Sequence, residues 1–433
     1  MSPSKWVVAV AVAILSLVIV AVVALGVGAT PVGRGGDASP TPRAAATDTA
    51  APSGTAEPSD EASPVPSGDL EEAFAEIEAQ VVEIRELEPP QLDPPEIIGR
   101  DELAAELEAI FEEEYTADDR RSDNITLRAL GLLEPGQDYA ELQLQLLGEG
   151  VLGFYDDTKR RMVVVSDSGL SAEARLTYAH EYTHALQDAA FGIGDLQDEA
   201  AEADDLSLAL TALIEGDATN MMFLWAFANL TQEEMIELGE ATLPDTSGIP
   251  SWMVRLIEFP YVTGFEWVQG ILESGDVAAI DEAFADPPIS TEQIIHFEKW
   301  RNREEPLDVA PVDVAGPLGA GWEEVESTSI GEALIRITLD YLGADSETAK
   351  AAAAGWGGDS LTVASGPDDA FALTWRLAWD SAADADEFSA AYESVADGLP
   401  FAARLLELSD TEVLVVHASS DDLLETSVEA AGG

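Results

Sequence analysis

The pentad His180-Glu181-Tyr182-Thr183-His184 constrains this chain more than any other stretch. Two imidazoles four residues apart share a face in an α-helix, so the pentad asks for a helix on which both rings converge on one ion. Imidazole nitrogen is a good zinc ligand, and two of them leave room for a third protein ligand and a water. Glu181 stands beside the pair, where a carboxylate can take a proton from water and pass it to a leaving amine. Only four histidines occur in 433 residues, so two at this spacing are informative. The plain alternative is an ordinary surface helix holding two histidines. Against it, Leu176, Tyr178, Ala179 and Leu186 supply a packing face and a predicted strand precedes the helix. Ser171 caps this helix, which runs to about Ala190, with Glu173 in its first turn.

No His-x-x-Gly-x-x-His follows His184, which excludes the metzincin arrangement. The third metal ligand is then expected to be a carboxylate on a later helix. Glu215 fits, because Leu208, Leu210, Leu213 and Ile214 around it are apolar and a buried carboxylate is costly unless it meets a cation. A carboxylate at a helix kink beside Gly216 is the plainer reading. Asp217 and Thr219 are candidates for bonds to the ligand histidines, or else solvated side chains. Hydrolysis at a metal also needs a donor to the developing oxyanion. His296 is carried as the candidate beside Glu181, with Tyr261 second; the alternatives are a loop-capping histidine and a packed aromatic. His417, inside Val413-Leu-Val-Val-His-Ala418, reads as a satisfied strand histidine. Trp356 among Gly355, Gly357 and Gly358 reads as an anchored tight turn or as close backbone approach to a ligand.

Charge narrows the partners. Asp and Glu number 84 against 20 Lys and Arg, a net charge of −64. Nucleic acid is excluded as a partner, since phosphate binding needs Lys and Arg, and docking on anionic lipid is disfavoured equally. Such a surface suits a salty medium, or is simply solvated. With 46% hydrophobic residues the chain has material for a sizeable core. It has no cysteine, which removes disulfides, thiolate metal sites and cysteine nucleophiles.

Along the chain, Trp6–Val27 is an uncharged apolar run long enough to cross a bilayer, read as an uncleaved signal anchor with the amino terminus in the cytoplasm; the small residues Gly26, Gly28 and Ala29 leave the alternative of a cleaved signal peptide and a secreted chain. Residues 29–68 are rich in Pro, Ala, Ser and Thr and read as a disordered linker. Helical spacing marks Asp69–Glu88 and Arg100–Tyr115, and Val151–Tyr155 with Met162–Ser166 suggests a hairpin. A long helix spans about Ala200–Leu230, and a shorter one starts at Thr231. Beyond residue 330, the helical segments Gly331–Leu342 and Ala382–Ala396 alternate with the strand-like runs Ala370–Trp379 and Glu412–Ala418. The expected fold class is α+β, mainly helical. Its expected parts are a transmembrane anchor (1–28), the linker (29–68), an N-terminal helical segment (69–150), a catalytic domain (151–311) and a small C-terminal α+β lobe (312–433).

His180-Glu-Tyr-Thr-His-Ala-Leu-Gln-Asp188 followed by Ile214-Glu-Gly-Asp-Ala218 resembles the gluzincin-type zinc metallopeptidases, specifically a bacterial group with a membrane-anchored H-E-x-x-H domain. Gly153-Phe-Tyr-Asp156, Phe259-Pro-Tyr-Val-Thr-Gly264, Ser290-Thr-Glu-Gln-Ile-Ile-His296 and Ala354-Gly-Trp-Gly-Gly-Asp359 resemble further blocks of that group. The resemblance implies a zincin-like core in which Met162–Ser166 forms a sheet edge that pairs with an extended substrate. The chain departs from it where Glu215 lacks the Asn-Glu-x-x-Ser-Asp context of the best-known members. The expectation is therefore a single-pass, membrane-anchored peptidase acting on peptide or protein substrates outside the cytoplasm. His180, His184 and Glu215 would hold Zn2+, with Glu181 as base and His296 as oxyanion donor. The rivals are a non-catalytic cell-envelope scaffold that keeps a zinc site, and a zinc hydrolase acting on other amides or esters. Oligomeric state, and whether 69–150 covers the cleft, stay open.

Overall fold

The computed structural model describes residues 67–432 apart from 151, 166–169, 202, 241–245 and 274. The expected anchor at Trp6–Val27 and most of the linker lie outside these residues. Among the described residues no helix is long and apolar enough to cross a membrane. The anchor, the single-pass topology, the membrane partner and the extracytoplasmic placement built on them are accordingly withdrawn. What the fold presents is a mainly helical α+β architecture with two small sheets.

The N-terminal part runs α1 (Ser67–Arg85), β1 (Glu96–Ile98), α2 (Arg100–Glu114), α3 (Ala117–Leu130), α4 (Tyr139–Gly150), β2 (Gly153–Asp156) and β3 (Arg161–Val165). Thr116 opens α3 with a reciprocal capping box to Asp119, and Gly131 closes it in the left-handed region. The hairpin β2–β3 forms as its sequence asks, yet its sheet runs β1-β3-β2. β1 pairs in parallel along the far side of β3, in register Glu96 with Val163. Met162–Val165, the described part of the expected edge, therefore lies in a central strand, and its backbone is not open to strand addition. The three-residue strand β1, sitting among prolines, gave no period-2 pattern by which to foresee this.

Helices follow as α5 (Ala172–Phe191), α6 (Ile193–Ala200), α7 (Asp204–Asn229), α8 (Gln232–Gly239), α9 (Ser251–Leu272), α10 (Val277–Ala285), α11 (Thr291–Ile295), α12 (Phe297–Arg301) and α13 (Ala315–Leu318). Ser171 caps α5 by accepting from Ala174 N, and Gly192 ends it in the left-handed region, φ +66°. α7 and α9 cross with their backbones touching. A Cβ built on Gly216 would come 2.4 Å from the Gly264 carbonyl, and one on Gly264 would come 2.1 Å from Ala212 O. Gly216 thus marks close helix packing in an unbroken α7, not a kink.

The C-terminal part consists of β4 (Glu323–Thr328), α14 (Gly331–Leu342), α15 (Ser346–Ala353), β5 (Trp356–Ser365), β6 (Phe371–Trp379), α16 (Ala382–Ala396), β7 (Ala402–Glu407), β8 (Glu412–Ala418) and α17 (Asp421–Ala430). Its antiparallel sheet has the order β4-β5-β6-β8-β7. Asp359 on β5 is buried and accepts from Ser329 Oγ, the backbone N–H groups of Ile330 and Gly331, and the indole N–H groups of Trp356 and Trp375, at 2.8–3.2 Å. That carboxylate ties the N-terminus of α14 to the sheet, where the helix dipole favours negative charge. The Gly-rich stretch at Trp356 is accordingly the bulged start of β5 rather than a tight turn, with the indole anchored on Asp359 and Gly358 packed against the Leu307 backbone. One apolar cluster draws on α2, α4, α7, α9, α14 and the large sheet, so the three expected folded segments share a core. A second cluster packs α1 against the hairpin, α5 and the end of α7.

Candidate metal centre

α5 and α7 deliver the site. His180 and His184 lie on one face of α5, one turn apart, and Glu215 projects from the buried middle of α7. Their Nε2, Nε2 and Oε2 atoms converge: the two imidazole nitrogens are 3.0 Å apart, and Glu215 Oε2 lies 3.1 Å from His180 and 3.4 Å from His184. Tetrahedral zinc with bonds of about 2.0–2.1 Å spaces its ligands roughly 3.3 Å apart, so these separations fit such an ion. Among the described residues this is the one cluster of His, Cys, Asp or Glu side chains with metal-holding geometry. A His/His/Glu cluster able to coordinate a metal ion is thus present, built from the three residues expected to hold one.

Burial and mutual charge set the electrostatics. Burial works against the charge on Glu215, but the two imidazoles outweigh it and hold the carboxyl down at about 2. Burial likewise opposes charge on His184, and Glu215 overrides it, raising the imidazole to about 9. His180 is pushed down, chiefly by burial. Glu181 is raised to about 7, mainly because it is buried. Its Oε2 accepts from the backbone N–H of Tyr155 on β2 at 3.0 Å, which fixes the carboxylate beside the cluster.

The support around the ligands is partly as expected. Asp217 does not bond a ligand histidine directly; it reaches His184 through Gln187. The Gln187 amide sits between His184 Nδ1 (2.9 Å) on one side and Ile214 O and Asp217 Oδ2 on the other. Thr219 Oγ1 and His180 Nδ1 are buried without a hydrogen-bond partner among the described residues, so Thr219 supports neither imidazole. Tyr261 is buried, hydrogen-bonds Glu215 through its hydroxyl, and places its ring 6.1 Å from that of His180. Its pKa is raised well above the usual phenol value by burial and by Glu215 and Glu181. His296 Nε2 pairs instead with Glu332 Oε1 on α14 at 2.9 Å, and its imidazole pKa is raised chiefly by that bond. His417 is a buried strand histidine, as expected, bonding Ala129 O and Tyr392.

A family model described as a domain of unknown function (DUF8575) matches residues 318–427. The match covers the large sheet and its helices and leaves out every residue of the metal cluster. No curated protein and no solved structure matches the chain. The gluzincin membership and the zincin-like core expected from the motifs therefore gain no support from these comparisons, and the central position of β3 removes the sheet edge that the resemblance required. The extracytoplasmic peptidase reading is withdrawn with them. What stands is the His180/His184/Glu215 cluster itself.

Sequence reasoning missed Gln187, Tyr155 and Arg85. Gln187 stood three residues after His184 on the same helical face, a usable signal. Arg85, whose Nε lies 3.0 Å from Asp217, is too distant in the chain to have left one.

Proposed function

We propose that this chain binds one zinc ion through His180, His184 and Glu215, and that the site serves a hydrolytic reaction. The observation that carries the reading is the convergence of three ligand atoms with a fourth residue, Glu181, held beside them by a backbone N–H. When bound, zinc supplies Lewis acidity and lowers the pKa of water toward neutrality. Glu181, held beside the cluster by the Tyr155 N–H, would accept the water's proton and return it to the leaving group. Tyr261 lies at the cluster, and its hydroxyl, if freed from Glu215 once that carboxylate holds an ion, would donate a hydrogen bond to a developing oxyanion. His296 pairs with Glu332 on α14, outside the cluster.

The second reading is a non-catalytic binding or scaffolding module that keeps the ion as a structural element. The burial of His180, Glu181 and Glu215 favours it, because structural sites are closed. The two readings separate on Glu181→Gln. For a hydrolase, the variant retains zinc while turnover of amide or ester substrates falls about 10²–10⁴-fold. Wild-type protein that is zinc-loaded and inert across such substrates supports the scaffold, and turnover that survives the substitution removes Glu181 from the mechanism.

A further inference from the structure

The His184–Gln187 contact has a direction, and it is set from α1. Gln187 Nε2 donates to Ile214 O at 3.0 Å and to Asp217 Oδ2 at 2.9 Å, so the amide oxygen is the atom that faces His184 Nδ1. An amide oxygen only accepts, so Nδ1 is held as an N–H donor and Nε2 is the nitrogen turned toward His180 and Glu215. Asp217 is fully buried and takes the Arg85 Nε–H at 3.1 Å on Oδ1 and 3.0 Å on Oδ2. Arg85, in the last turn of α1, is itself buried. It lies over the Phe191 ring at 5.9 Å, with a second nitrogen 2.6 Å from Asp281. Without the guanidinium, Asp217 loses the donor that holds both of its oxygens, and Gln187 Nε2 keeps only the Ile214 carbonyl to direct the amide.

Resting on the metal-site reading above, we propose that Arg85 is a positioning residue for the site. Through Asp217 and Gln187 it holds the His184 Nδ1–H in place and so aims Nε2 into the cluster, which makes α1 part of the metal centre. The test uses the full chain and two readouts. In metal-free protein labelled with ¹⁵N-histidine, His184 Nδ1–H is expected to be a protected proton in the wild type. Arg85→Met should speed its exchange at least about tenfold, with Arg85→Lys, which keeps the charge, restoring protection. By chelator competition, zinc affinity should fall about 10–100-fold in Arg85→Met and in Gln187→Met, as losing an outer partner of a metal ligand commonly does. The double variant should show no further loss, because both act on one chain of bonds.

A folded Arg85→Met with wild-type exchange and wild-type zinc affinity overturns the proposal, as do losses that simply add in the double variant. If Arg85→Met does not fold, Gln187→Met decides: wild-type zinc binding there removes the relay. Failure of the wild type to bind zinc sinks the metal-site reading, whereas the exchange measurement, made without metal, still decides the role of Arg85.

Discussion

Tyr261 and Glu181 show how burial assigns work to side chains that exposed positions could not hold. Both sit beside the His/His/Glu cluster in surroundings that disfavour charge, so without a metal the phenol stays protonated and the carboxyl is raised to about 7. Tyr261 adjoins Pro260, which cannot donate within α9 and so occupies the helix at the cost of one backbone bond. If the site is hydrolytic, Tyr261→Phe should leave zinc content unchanged and lower kcat by about 10²-fold, the usual loss on removing one oxyanion donor. Steady-state kinetics on the zinc-loaded variant check this; an unchanged kcat would confine the hydroxyl to supporting Glu215. At this scale the sequence was most readable. The i, i+4 histidines and Glu215 declared themselves through residue type and apolar setting. Tyr261 was visible only as an aromatic, because its partner lies on another helix.

Between elements, the crossing of α7 and α9 decides whether Glu215 and Tyr261 meet. Gly216 and Gly264 let two backbones touch where any side chain would separate them. Replacing Gly264 by Ala gains about 1 kcal/mol of helix propensity. The new methyl would press on the Ala212 carbonyl rather than on a pliable side chain, at the upper end of the about 1–3 kcal/mol that overpacking costs. The net expectation is a loss of about 2 kcal/mol, with weakened zinc binding as Glu215 is displaced, read by denaturant unfolding and metal titration. Neutral stability would mean that the helices slide apart freely. Elements with strong local signals were legible: α1, α5, α7 and the β2–β3 hairpin all formed near their expected bounds. β1, β4 and the pairing of β3 were not. A short edge strand owes its existence to a distant neighbour, and Glu323–Thr328 alternates too many carboxylates to look apolar on either face.

Across the whole molecule, an acidic chain has placed part of its charge inside. Asp123, Asp205 and Glu292 are each raised to about 7, burial being the largest cause in every case. A carboxyl raised above its unfolded value favours the folded state below about pH 4, and that advantage is lost as pH rises through about 7. His417 acts oppositely: burial lowers it to about 4, so its contribution is lost as pH falls below about 6.5. Three carboxyls outweigh one imidazole, and acidification also relieves the repulsion of a chain with net charge −64. Thermal unfolding should therefore give a higher Tm at pH 6 than at pH 8; the reverse order would mean that these carboxyls are paired more fully than their surroundings suggest.

The account stands on the metal centre, and metal content tests it most directly. Mass spectrometry of the purified chain and of Glu215→Ala should find about one zinc per wild-type molecule and little in the variant. A folded wild-type chain that holds no zinc, even after exposure to it, would contradict the account. Zinc kept in full by Glu215→Ala would move the third ligand away from α7.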